Sequence, residues 1–322
     1  MLQFDKKEYL KMYGQLYFAR HYEMKIEEVF TSGKLPGFYH LSIGQEAIQM
    51  GVFNELGPND WYAPHFRSHP TYALRCGVRE FTCEMTAKQN GPNHGFASYA
   101  HLLVPEKKVG PSNGMLGETQ SIATGIAQAY KAKKIDGCVV IGCGDGTMQE
   151  GVVSELLNMI SAWKLPVAWY IERNNYAIST KVSDVIGTVD LADRGKGFGI
   201  PGASYSGDDI CLVREVMREA IEKARKGEPT ISEFRTYRWR GHFVGDPATY
   251  RDPAELKEAQ EKHDPLLTHR NHILDNGIAT EKELAAVEKE QMDIINDAFE
   301  YAATQPANTP DIVLNQIKAY AD

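Results

Sequence analysis

No apolar run in this 322-residue chain reaches 18 residues, so no segment is expected to cross a membrane as a helix. The first residues carry Asp5, Lys6, Lys7 and Glu8 and lack the apolar stretch of a secretory signal. Cysteine is scarce. Cys76, Cys83, Cys138, Cys143 and Cys211 are odd in number and lack the paired spacing of a metal site, which fits reduced thiols and a cytoplasmic location. Positive charge is in deficit: 35 Lys and Arg face 43 Asp and Glu, a net charge of −8. That balance argues against nucleic acid or an anionic membrane as partner. Low-complexity segments and internal repeats are absent as well. What remains is ordinary globular material, 43% hydrophobic and 10% aromatic, enough for a sizeable core. The length allows two domains, although a large α/β fold often makes one.

The most informative stretch runs from Cys138 to Ala177. Cys138-Val-Val-Ile141 reads as a buried strand and Gly144-Asp145-Gly146 as a turn. Met148, Val152, Val153, Leu156, Leu157, Ile160 and Trp163 then recur at helical spacing, and Leu165 to Ile171 reads as the next strand. Asp145 and Asn174 should therefore stand at the carboxyl ends of strands joined by one helix, the edge where open parallel sheets bind ligands. A helix beginning after Gly146 would offer free N–H groups and a positive dipole end to phosphate, with Gly146 adding no side chain to block the anion. Asp145 and Asn174 supply hard oxygens of the kind that hold magnesium together with phosphate oxygens and water. Taken alone, Gly-Asp-Gly is also common turn chemistry.

The rest of the chain reads as helix over 5–31, turn at 33–37, long loop over 90–117, helix over 119–131, loop over 183–207, helix over 209–226, strand over 229–237, and helices near 253–262 and 280–304. A loop as long as 90–117 inside a compact domain is usually functional or disordered.

Asn174 follows Asp145 by 29 residues, which resembles the GDG-to-NN signature of thiamin diphosphate enzymes. The surrounding residues, including Asn158-Met159, Trp163-Lys-Leu-Pro166 and Tyr176-Ala-Ile-Ser-Thr180, resemble the alpha chain of the decarboxylating component of 2-oxo acid dehydrogenase complexes. The likeness covers nearly the whole chain. It implies an α/β thiamin diphosphate-binding fold, with a parallel sheet and helices on both faces, spanning residues 1–322 as one domain with helical extensions at 1–36 and 252–322. It also implies pyruvate, acetoin or a branched-chain oxo acid as substrate.

The resemblance assigns roles residue by residue. Gly37-Phe-Tyr-His40-Leu-Ser-Ile-Gly-Gln-Glu46 matches the family's GFxHLxxGQE, putting His40 in the active-site channel near the substrate or an incoming lipoyl group. Phe66-Arg67-Ser68-His69 is similar to Tyr-Arg-x-His. Arg67 should grip the diphosphate with its two-pronged fork, His69 is a further catalytic candidate, and Phe66 lacks the usual phenolic hydroxyl, worth about 1 kcal/mol. His65 has no assigned role. Gly95 to His101 is loosely similar to GGSMH. Asn113-Gly-Met-Leu-Gly117 would present Gly114 and Leu116 to the aminopyrimidine. Gly144, Asp145, Gly146, Thr147 and Asn174 would border the diphosphate, with magnesium on Asp145, Asn174 and the Tyr176 carbonyl. Asn175 stands where Gly is usual, and Asn tolerates positive φ well.

Thr236 to Arg251 resembles the family's TYRxxGHSxSDPxxYR loop, so His242 should reach the diphosphate and the reacting centre. Phe243 and Gly245 replace two serines that kinase-regulated members phosphorylate. In two-chain relatives the glutamate that activates the cofactor lies on a beta chain. The resemblance thus implies an α2β2 heterotetramer and a lipoyl-bearing acyltransferase as partners, with no nucleic acid and no membrane. Two alternatives stay open: the cofactor-binding half of a two-chain transketolase, and a non-catalytic thiamin diphosphate-binding protein.

Overall fold

A computed structural model describes residues 3–319. In chain order its elements are α1 (Lys6–Thr31), α2 (Glu46–Asn54), β1 (Trp61–Ala63), α3 (His69–Cys76), α4 (Val78–Met85), α5 (Glu118–Lys133), β2 (Val139–Gly144), α6 (Gly151–Ala162) and β3 (Val167–Arg173). A small hairpin of β4 (Tyr176–Ala177) and β5 (Thr180–Lys181) follows, then α7 (Val182–Val185), β6 (Gly202–Ser206), α8 (Ile210–Arg225), β7 (Thr230–Arg235), α9 (Pro253–Lys262), α10 (Pro265–Asp275), α11 (Glu281–Thr304) and α12 (Pro310–Ala319).

Local chemistry starts the helices. The Asp5 carboxylate accepts from the Glu8 N–H at 2.8 Å to open α1, and Asp209 caps α8 in the same way. Thr280 and Glu283 close a reciprocal capping box on α11. Asp252 and Asp264 each cap a helix that begins with proline, which has no N–H to leave unpaired.

Five strands form one parallel sheet in the order β1-β2-β3-β7-β6. Alternate residues face opposite layers. Val140, Ala168, Tyr170 and Phe234 meet α1, α2 and α8 on one side. Val139, Ile141, Trp169 and Ile171 meet α5 and α6 on the other. Burying a side chain such as Ile171 or Phe234 contributes about 1.5–3 kcal/mol. The expected α/β fold, with helices on both faces, is therefore observed. The terminal helices pack on each other: Tyr13 of α1 is buried with Ile273 of α10 and Leu284 of α11, and its hydroxyl donates to Glu288 at 2.5 Å. Among the described residues no helix is long and apolar enough to cross a membrane.

Two differences from the sequence reading bear on the site. The second strand runs to Arg173 rather than stopping at Ile171, because Glu172 and Arg173 still pair with Phe234 and Arg235. Helix α6 starts only at Gly151. A single 3-10 turn, Thr147–Gln149, follows Gly146, and extended Glu150 (φ −68°, ψ 136°) separates it from the helix. The expected helix N-terminus directly after Gly146 is not there.

Candidate active site

Strands β2 and β3 are neighbours in register, Gly144 opposite Glu172, so Asp145 and Asn174 leave adjacent strand ends together. Asp145 is 3% exposed. One carboxylate oxygen accepts from the Gly146 N–H at 3.0 Å, while Oδ2 finds no partner in the protein. Burial pushes its pKa up to about 6, with the Gly146 N–H pulling the other way. Asn174 donates its amide to Gln45 at 3.1 Å and accepts from the Tyr176 N–H at 3.3 Å through its oxygen. Asn175 makes the expected left-handed turn at φ 74°. Gly146 is closely packed: a Cβ there would meet the Ala177 Cβ at 3.0 Å and Leu116 Cδ1 at 3.4 Å, whereas one on Gly144 would meet nothing within 4 Å.

The facing wall is cationic. Arg67 follows β1 and is 3% exposed. Its guanidinium donates to the carbonyls of Leu41 (2.9 Å) and His242 (3.1 Å), and to the His242 Nδ1 (3.3 Å). Arg238, 1% exposed, donates to the carbonyls of Tyr176 (3.3 Å) and Ile178 (3.0 Å) and to the Tyr250 hydroxyl (2.8 Å). No carboxylate hydrogen-bonds either guanidinium among the described residues. Burial lowers the pKa of both; for Arg67, helped by the Arg238 charge, it falls to about 9, so the group stays charged at neutral pH. Ile178, a β-branched residue at φ 53°, holds a strained backbone whose carbonyl meets Arg238.

Two histidines lie on this wall with ring centroids 4.7 Å apart. Burial and then the Arg67 charge depress His40 to about 2 and His242 to about 3, so both are neutral. Their tautomers follow from their partners. The His242 Nδ1 receives from Arg67 (3.3 Å) and Arg238 (3.4 Å), which can only donate, so the proton sits on Nε2. The Tyr99 hydroxyl donates to the Phe38 carbonyl, so the His40 Nδ1–H donates to Tyr99 at 2.7 Å and Nε2 keeps a free lone pair. One ring thus offers a donor and the other an acceptor.

These walls, roofed by Asn113 to Leu116 and by Ala177 and Ile178, enclose a cavity of about 250 Å3. His40, Phe66, Arg67, Gly114 and Leu116 line it, as do Gly144, Asp145, Gly146, Thr147, Asn174, Tyr176 and His242, so nearly every residue nominated from the sequence is brought together. His69 is the exception. It is fully buried outside the lining, with Nδ1 held by the buried Glu23 carboxylate at 3.0 Å. His101 is exposed and away from the cavity. The loop before Gly114 is anchored by buried Glu84, which accepts from the N–H groups of Asn93, Gly95 and Ala97. Several lining residues have no role in the sequence reading, among them Arg238, His65, Thr119 and Gln120. Arg238 stood inside the TYRWRGH motif, four residues before His242. His65 gave no signal; its Nδ1 accepts from the Arg67 N–H at 3.2 Å and its Nε2 lies 3.0 Å from buried Glu172.

The family model described as Dehydrogenase E1 component matches residues 15–311. The chain belongs to that family. It is 36% identical over 313 residues to the pyruvate dehydrogenase E1 component subunit alpha of Rhizobium meliloti, covering 96% of this chain and 89% of that protein. It is 33% identical over 306 residues to the Zymomonas mobilis protein of the same name, covering 94% and 86%. A chloroplastic alpha-3 subunit from rice is 34% identical over 313 residues, covering 94% of this chain and 73% of the relative. The E1 alpha subunits act with thiamin diphosphate, and the cavity fits that group. Two buried cations without carboxylate partners face a buried carboxylate oxygen without a partner. Among the described residues no group of three or more His, Cys, Asp or Glu could hold a metal by itself. A cation on Asp145 and Asn174 would need further oxygens, which a bound diphosphate carries.

Proposed function

We propose that this chain is the cofactor-holding half of a cytoplasmic pyruvate-type dehydrogenase: it binds thiamin diphosphate with magnesium, and with a beta subunit decarboxylates a small 2-oxo acid and passes the acyl group to a lipoyl arm. The observation that carries the reading is the charge arrangement of one buried cavity. Arg67 and Arg238 oppose Asp145, whose Oδ2 is unpartnered, which suits an anion and a divalent cation bound together. Asp145, Asn174 and the Tyr176 carbonyl are the proposed metal ligands; that carbonyl now accepts from Arg238, so the guanidinium and the metal would share it. When bound, the cofactor supplies a nucleophilic carbon and an electron sink. The chain's own residues orient it and handle protons. The His242 Nε2–H is a donor for negative charge that develops on substrate oxygen, and the His40 Nε2 is an acceptor beside it. Phe38 and Phe66 close against His40, with ring centroids 4.8 Å away in both pairs, and limit water there. Pyruvate is favoured as substrate by the names of the relatives; acetoin is the second candidate.

The partner is an α2β2 assembly. Met115 (70% exposed), Leu116 and Ile178 stand apolar at the cavity mouth, and the exposed side of α5 carries Ile122. Covering these surfaces is what a beta subunit would do. The test is to express the chain with and without that subunit, supply 2-oxo acids, acetoin and ketose phosphates with an artificial electron acceptor, and follow carbon dioxide release. Turnover on pyruvate by the pair alone is expected. Turnover on ketose phosphates instead would make it a transketolase half, and cofactor binding without any turnover would leave only a binding protein.

A further inference from the structure

Helix α5 begins at the cavity, and its serine and threonine hydroxyls behave unequally. Ser121 donates to the Gly117 carbonyl and Thr124 to the Gln120 carbonyl, each at 2.8 Å. Such back-bonding is the ordinary fate of a hydroxyl inside a helix. Thr119, in the first turn, does neither. It lies on the cavity wall, is 3% exposed, and its Oγ1 has no hydrogen-bond partner in the protein. A buried hydroxyl left so is costly unless something else satisfies it.

The surroundings say what that something is. Helix α5 is 16 residues long, follows Gly117 in a left-handed conformation (φ 89°), and has no side-chain cap. The Glu118 N–H meets the Met115 carbonyl at 3.4 Å, and the N–H groups that follow it, with the dipole, present positive charge at the terminus. The next residue, Gln120, donates its side-chain amide to the Gly142 carbonyl at 2.8 Å, which ties this turn to the strand that ends at Asp145. Leu116, just before the turn, closes on Gly146 from the same side. The helix expected to seat an anion, the one following Gly146, starts only at Gly151. Helix α5 brings a longer dipole to the same cavity and adds a free hydroxyl.

We propose that Thr119 is a further cofactor-binding residue, its hydroxyl donating to a diphosphate oxygen at the N-terminus of α5. The proposal rests on the thiamin diphosphate reading of the cavity. It has a consequence of opposite sign in the two states of the chain. Unloaded, the hydroxyl is a buried polar group without a partner, so its removal relieves a penalty. Loaded, it makes a charge-assisted bond, so its removal weakens binding.

The experiment compares Thr119→Val, which keeps the shape and removes the hydroxyl, with Thr119→Ser, which keeps the hydroxyl. The full chain is used, co-expressed with its beta-type partner, and thiamin diphosphate affinity is measured by calorimetry at saturating magnesium alongside the cofactor-free melting temperature. T119V should bind roughly tenfold or more weakly and melt no lower than the parent, while T119S should bind within about threefold of it. Parent-like affinity in T119V overturns the proposal, as it would if the hydroxyl holds only water. Equal loss in T119S, or an affinity loss that accompanies a lower melting temperature in T119V, assigns the residue to packing and overturns it too. A parent that binds no thiamin diphosphate removes the underlying reading, a result distinct from a parent that binds and a variant that binds equally well.

Discussion

Five arginines among the described residues are at least nine-tenths buried; Arg251 bonds to the Arg238 and Trp239 carbonyls, and the other four fall in two very different settings. Arg20 is tied to Glu46 and to Asp264 (3.0 Å) and lies over the Trp239 ring at 4.3 Å; Arg214 is tied to Glu8 (2.7 Å) and Glu55 (2.6 Å). Arg67 and Arg238 are buried as deeply but bond only to carbonyls, a hydroxyl and an imidazole nitrogen. The contrast shows in their proton affinities. Burial works against the charge of Arg20, yet Glu46 and Asp264 outweigh it and raise its pKa, while Arg67, with burial and the like charge of Arg238 against it, is lowered to about 9. A paired buried arginine is complete in the fold. An unpaired one that also faces a cavity, as Arg67 and Arg238 do and Arg251 does not, leaves electrostatic free energy to be recovered when an anion arrives.

The sharpest way to break that comparison is to remove one member of each class. Arg20→Met leaves Glu46 buried without its cation and should cost about 3–5 kcal/mol in denaturant unfolding. Arg67→Met should leave the unloaded fold within about 1 kcal/mol of the parent, since no carboxylate is stranded. Its effect should appear in calorimetry as a loss of thiamin diphosphate affinity of about one to two decades, the worth of its charge-assisted bonds. Equal destabilisation by the two variants would erase the distinction.

A smaller effect comes through the histidines. His40 and His242 are held at about 2 and 3, against an ordinary value of 6.5, by burial and then by the Arg67 charge. The unfolded chain therefore binds more protons than the folded one at every pH between those values. Stability should be lost as pH falls below about 6.5, and the loss should continue toward pH 3. Unfolding midpoints taken from pH 7 to 3 check this, and in Arg67→Met the loss should level off at a higher pH than in the parent; levelling at the same pH would mean that the Arg67 charge does not act on these rings. The smallest change expected is in Phe66→Tyr. A phenolic hydroxyl added beside Arg67 should tighten cofactor binding by up to about 1 kcal/mol, and a weaker complex would show that Phe66 does not border the diphosphate.

Some of this was legible in the chain itself. Local rules gave accurate bounds where the signal was local: α1, α8, α9 and α11 begin at the capping residues Asp5, Asp209, Asp252 and Thr280. Strand β6, with the partly exposed sequence Gly-Ala-Ser-Tyr-Ser at the sheet edge, carries no periodic apolar signal and reads as loop in the sequence. The spacing of Asp145 and Asn174 placed both at strand ends, because a parallel strand–helix–strand unit returns the chain to the same sheet edge.

In the sequence by itself, apolar periodicity marked the strand–helix–strand unit that carries Asp145 and Asn174, and the family resemblance implied the α/β fold and nominated most of the residues that line the cavity. Only the tertiary structure decided which titratable groups face one another. His65 and His69 lie four residues apart, yet one lines the cavity and the other is locked to Glu23, which comes from α1, far off in the chain. Likewise the motif around Arg238 does not say whether its charge is paired; what separates it from Arg214 is whether folding brings a carboxylate from elsewhere within hydrogen-bond reach. Charge pairing depends on distance in space and on burial, and neither is set until the helices have packed on the sheet.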